Sequence, residues 1–197
     1  MTPPRGKVVR AIPRSLVYEA GHRRVHAVRH HRGSALEMVA ERQGVELSDE
    51  DKQQILGGMQ VLPPHPEVDE SLGRLRDACI RLAALTNSTQ QVAEAQIDNS
   101  GLRDYFEQEL SADTAHSLKP APAPYRMAAE SLGVEIGQVR LVAAHAWDTT
   151  DAMRAGCAAA FVARPGMVLN PLAERPDVVG DDLRKVADRI VEIETGS

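Results

Sequence analysis

The chain has 197 residues, 43% of them hydrophobic and 26% charged, with a formal net charge of −5. That is the balance of a globular protein with enough chain to bury one substantial core. No apolar stretch approaches the ~20 residues of a membrane span and no secretory leader opens the chain, so a cytoplasmic protein without membrane contact is expected.

The charge is unevenly divided. Residues 1–33 carry eight Lys and Arg against one acid, Glu19, for +7, whereas the remainder carries 15 basic and 27 acidic residues, for −12. His22, His26 and His30 recur every four residues in the first segment, a spacing that on a helix would line one face and suit a transition metal. A basic run also suits nucleic acid. Against these readings stand the lack of aromatics for base stacking and of a Cys or carboxylate to complete a metal site, so neither metal nor nucleic acid is expected. Cys79 and Cys157 lie far apart without metal-ligand spacing and read as reduced, buried thiols.

From Ser34 onward, helical and strand patterns alternate. Residues 34–43 form an apolar-faced helix that stops at Gly44, and Ser48 caps a second helix with acids in its first turn. A Pro-rich connector, residues 62–70, leads to an amphipathic helix through Leu72, Leu75 and Ala78. Strands are expected at 80–85, within the stretch from Tyr105, at 139–144, 158–162 and 178–179. Helices are expected at 90–99, 122–132, 149–155 and 182–193. Such alternation argues a parallel sheet with helices on both faces.

Three stretches carry the chemistry. "LTNST" (85–89) follows the strand expected at 80–85, "LKPAPAPY" precedes a helix, and "LVAAHAWDTTDAMRAG" follows another strand. An open α/β sheet binds its ligands at the carboxyl ends of its strands, where the first and third of these stretches fall. Their order and spacing resemble the haloacid dehalogenase (HAD) superfamily, and "AAHAWD" with "KPAPAPY" resembles its type II, (S)-2-haloacid dehalogenases. The resemblance implies a HAD-like Rossmannoid fold with a helical cap. It implies attack of an Asp carboxylate on the halogen-bearing carbon of a 2-haloacid, then hydrolysis of the ester to a 2-hydroxyacid. It needs no cofactor and no metal.

By this resemblance Thr86 and Asn87 hold the substrate carboxylate and support the nucleophile. Lys119 keeps the nucleophile ionised, Tyr125 stands near that lysine, and Asp148 helps position or activate water. Trp147 forms an apolar wall. His145 stands where the family often shows Asn, and Ala143 where it often shows Ser, which puts the substrate pocket and water positioning at issue. A HAD phosphatase is the rival reading, but the strand end that commonly reads Gly-Asp in those enzymes is Ala143-Ala144, leaving a hard divalent ion without an oxygen ligand.

The nucleophile has no counterpart. Its Asp belongs at the end of a first, central strand, yet residues 1–48 contain no aspartate, and only 85 residues precede Thr86. The expected organisation is a basic Arg/His-rich segment at 1–33, a remnant of the helical cap at 34–62, and a HAD-like core at 63–197 lacking its usual first strand. Loss of that strand would leave two inner edges unpaired, and "KVVRAI" or "SLVYEA" are the segments available to fill the gap. A misassigned reading frame is the economical account of residues 1–33. The expected function is a (S)-2-haloacid dehalogenase scaffold without turnover, or a non-catalytic binder of a small 2-haloacid or other small carboxylate. A homodimer is compatible with either.

Overall fold

The computed structural model describes residues 8–10, 28–58 and 61–196. His22 and His26, the segment "SLVYEA" and the rest of the basic stretch between the first strand and the first helix lie outside the described residues. Among the described residues six strands form one sheet: β1 (Val8–Arg10), β2 (Arg81–Thr86), β3 (Gln108–Ser111), β4 (Val139–Ala143), β5 (Ala158–Val162) and β6 (Val178–Gly180). Their order is β3-β2-β1-β4-β5-β6 and every pairing is parallel.

The central position is therefore filled, and the expectation of a core without its first strand is corrected. Val8 and Val9 pair with Arg81 and Leu82 on one side, and Val8 to Arg10 pair with Val139 to Leu141 on the other. Two β-branched residues suit a strand flanked on both sides, and their pairing satisfies edges that would otherwise invite mispairing.

Two layers of helices cover the sheet. Alternation along β4 sends Val139, Leu141 and Ala143 to one face and Arg140 and Val142 to the other. On the first face lie α5 (Pro122–Leu132) and α6 (Ala146–Arg154), whose Tyr125, Ala128, Ala129 and Ala152 pack with Leu85, Leu141 and Ala143. On the second, α3 (Val68–Asp77) and α7 (Leu183–Thr195) bring Leu72, Leu75, Val186 and Ile190 against Leu82, Val142, Ala160 and Val162. Arg140 is buried at 1% exposure and ion-paired to Asp177 at 2.5 Å and Glu194 at 3.3 Å, tying the chain before β6 and the end of α7 to the sheet. A further helix, α4 (Gln90–Asn99), follows β2.

Two helices precede this core. α1 (Val28–Arg42) starts six residues before the expected Ser34 and crosses the compositional boundary at 33/34, so that boundary is no structural break. A single interior Gly such as Gly33 costs a helix only about 1 kcal/mol, which its neighbours offset. α2 (Asp49–Gly58) is capped as expected: the Asp51 amide donates to Ser48 Oγ at 3.1 Å while the Ser48 amide donates to Asp51 Oδ2 at 3.0 Å. No α2 residue is buried.

Cys157 is buried, but Cys79 is exposed, against expectation. It follows α3 with a φ of +59°, its amide donating to Arg76 O at 2.8 Å, so it serves as the turn that stops the helix. Among the described residues no helix is long and apolar enough to cross a membrane.

Candidate active site

The carboxyl ends of β2 and β4 and the starts of α5 and α6 meet on one edge of the sheet. After β2 the chain turns sharply. Ser88 N–H donates to Thr86 Oγ1 at 3.1 Å, and Thr86 Oγ1 donates to Ser88 Oγ at 3.1 Å. Ser111, at the end of β3, donates its hydroxyl to Ser88 O at 2.6 Å. This local bonding is what lets a hydroxyl-rich segment leave a buried strand without orphaning its backbone.

Asn87 then clasps the loop before α5. Its Nδ2 donates to Lys119 O at 2.9 Å and its Oδ1 accepts from the Lys119 amide at 2.8 Å. The side-chain amide is thus used on both sides of one backbone residue. Its contribution here is to hold Lys119 in place.

Lys119 points inward. Its Nζ donates to Asp148 Oδ2 at 2.7 Å, and both residues are all but sealed from solvent, at 4% and 2% exposure. Tyr125 OH donates to the other oxygen, Asp148 Oδ1, also at 2.7 Å. One carboxylate therefore receives an ammonium and a phenol on separate oxygens, the pairing that makes a buried charge tolerable. Asp148 lies in the first turn of α6, where the unpaired amides of the helix start favour negative charge. The expected helix began at Thr149; its actual start at Ala146 brings Trp147 and Asp148 onto that first turn.

The half-buried rim is aromatic. Lys119 Nζ stands 5.9 Å from the centre of the Trp147 ring, within cation–π range, and the His145 and Trp147 ring centres are 5.8 Å apart. His145 occupies the N-cap position of α6 without bonding the helix through its side chain. Burial holds its imidazole below its ordinary pKa, and Lys119 acts in the same direction, while Asp148 opposes both.

The structure thus brings Asn87, Lys119, Tyr125, His145, Trp147 and Asp148 to one place, with Thr86 in the turn beside Asn87. The residues missed in the sequence are Ser88 and Ser111, both buried, which set the shape of the β2 turn. Their signal was available: Ser88 lies in the hydroxyl-rich turn after β2, and Ser111 is the last residue of β3. The described residues of β1 are Val, Val and Arg, so none supplies a carboxylate.

The sequence profile of haloacid dehalogenase-like hydrolases matches residues 7–148. The chain is 30% identical over 154 residues to the (S)-2-haloacid dehalogenase of Pseudomonas sp. (strain YL), covering 78% of this chain and 66% of that protein. It is 32% identical over 116 residues to haloacetate dehalogenase H-2 of Moraxella sp. (strain B), covering 59% and 52%. The chain therefore spans about half to two thirds of the length of these curated relatives. The solved L-2-haloacid dehalogenase of Xanthobacter autotrophicus with chloropropionic acid covalently bound superposes with a TM-score of 0.72 at 25% identity, over 80% of this chain and 73% of that one. A profile match over most of its length, joined to the parallel sheet and the Lys119–Asp148 cluster, makes this chain a member of the haloacid dehalogenase-like hydrolases.

Proposed function

We propose that this chain is a (S)-2-haloacid dehalogenase scaffold that binds a small 2-haloacid or related carboxylate and does not hydrolyse it through an aspartyl ester. The reading is supported by the buried Lys119–Tyr125–Asp148 cluster together with the lack of an aspartate in residues 1–48. Lys119 and Tyr125 each donate to one oxygen of Asp148, while residues 1–48 hold no aspartate to attack the substrate carbon. An ester route needs a carboxylate aligned with the carbon–halogen bond. Asp148 does not meet that need, because it is sealed from solvent at 2% exposure.

The ligand chemistry follows from the rim. Trp147 offers an apolar face to an alkyl or halogen substituent, and His145 and the start of α6 offer polar character to a carboxylate. A phosphatase reading is less favoured, because β4 ends on Ala143-Ala144, which gives a divalent ion no side-chain oxygen. The test is to incubate the full chain with (S)-2-chloropropanoate and follow free chloride beside a saturable binding signal. Saturation without chloride release supports the reading. Catalytic chloride release shows a nucleophile outside the described residues, and no binding removes the proposed ligand.

A further inference from the structure

We propose that His145 determines how tightly this site holds an anion, by supplying, as imidazolium, a positive charge that the cluster does not already cancel. The proposal rests on the small-carboxylate reading given above and concerns the same site. Its starting point is a charge balance. Lys119 is the cation at the base of the cluster, yet its Nζ sits 2.7 Å from Asp148 Oδ2, so the pair presents little net charge to an arriving carboxylate. Among the described residues, Asp148 is the carboxylate that Lys119 Nζ meets at ion-pair distance.

His145 is placed to change this balance. It lies directly before α6, it is half-buried, and its ring stands beside Trp147, whose own ring faces Lys119 Nζ. Among the described residues, the charged groups acting on the ring are Asp148 from the first turn of α6 and Lys119 from the loop before α5. The titratable phenol of Tyr125, on α5, faces Asp148 rather than leaving that carboxylate unshared. The imidazole makes no capping bond to the helix, so gaining a proton disrupts no such bond.

The consequence is a linkage. In the free chain, burial and Lys119 disfavour the imidazolium. A bound carboxylate near the ring favours it, so the imidazole takes up a proton as the anion binds and affinity rises as pH falls. A neutral amide at this position would bind with no such dependence.

Isothermal titration of the full chain with (S)-2-chloropropanoate, whose carboxyl stays ionised throughout, tests this between pH 8 and pH 5.5. Two buffers of different ionisation enthalpy at each pH count the protons taken up. The expected result is roughly tenfold tighter binding at pH 5.5, the order of effect of one partly solvated charge, with net proton uptake. His145→Gln should flatten the profile, and His145→Asn should do the same; their melting curves establish that each folds. In the wild type, the His145 ring-proton resonances should report a pKa that rises when the acid is added.

Binding that is equally tight at both pH values overturns the proposal while leaving the carboxylate site intact. A slope that persists in both folded variants also overturns it and assigns the proton elsewhere. Absence of binding at every pH defeats the site reading and this proposal together.

Discussion

The cluster at the end of the sheet and the helical pair α1–α2 are built on opposite terms. Around Lys119 and Asp148 the charged groups are deeply buried, and each is met by a partner at hydrogen-bond distance. In α1–α2 the ion pair Lys52–Glu37 is largely solvated, Ala40 is the one buried residue among those with described side chains, and Met38, Val39, Val45 and Ile55 are exposed. Removing a group from the first region strands a charge in a low dielectric, whereas removing one from the second exchanges a wet surface for another. The stability of the first region therefore comes from packing and electrostatics within the cluster itself. The α1–α2 pair has no comparable buried support among the described side chains.

That contrast is broken or sharpened by substitutions of decreasing effect. Lys119→Ala should cost about 3–5 kcal/mol in denaturant unfolding, because it leaves Asp148 buried without its cation. An effect under about 1 kcal/mol would mean that water reaches the pair and that the cluster is not sealed. Tyr125→Phe should cost about 1.5–3 kcal/mol, the range for a hydrogen bond to a charged group, and is measured in the same way. At the other extreme, Ile55→Ser in α2 should fall within about 0.5 kcal/mol of wild type, since the residue it replaces is already exposed.

The pH dependence lies between these in size. Burial holds the His145 imidazole below its ordinary pKa, so near pH 6 the unfolded chain binds more protons at this residue than the folded chain does. Its contribution to stability is present above the unfolded pKa of about 6.5 and is lost as pH falls from there through the lower folded pKa. The melting temperature should drop between pH 7.5 and pH 5.5, and by less in His145→Gln. An equal drop in both would show that another group carries the dependence.

Much of the core was legible in the sequence. α4, α5 and β5 have the expected bounds, because each is a periodic or continuous apolar run bounded by a strong stop such as Gly101, Gly133 or Gly156. The start of α6 was misplaced because "HAWD" carries no conventional capping residue; only the fold shows that Ala146 already has helical geometry. The place of β1 was not decided by pattern, since Val8 and Val9 in a basic stretch resemble many short apolar pairs. The need to pair two long inner edges selects them, and that need is visible only once the sheet order is known. For the site, residue types were readable but duties were not. Asn87 read as a donor for substrate, and nothing in the sequence signalled that its amide also clasps the Lys119 backbone, a contact between residues 32 positions apart.

The account rests on a cluster that binds without reacting, and the most direct measurement follows both events in one sample. Equilibrium dialysis of the full chain against (S)-2-chloropropanoate, with chloride measured in the same compartments, is that experiment. The account predicts saturable retention of the acid at one site per chain and no chloride beyond the protein-free blank. Chloride accumulating over many turnovers would contradict it, and would place a working nucleophile in this chain.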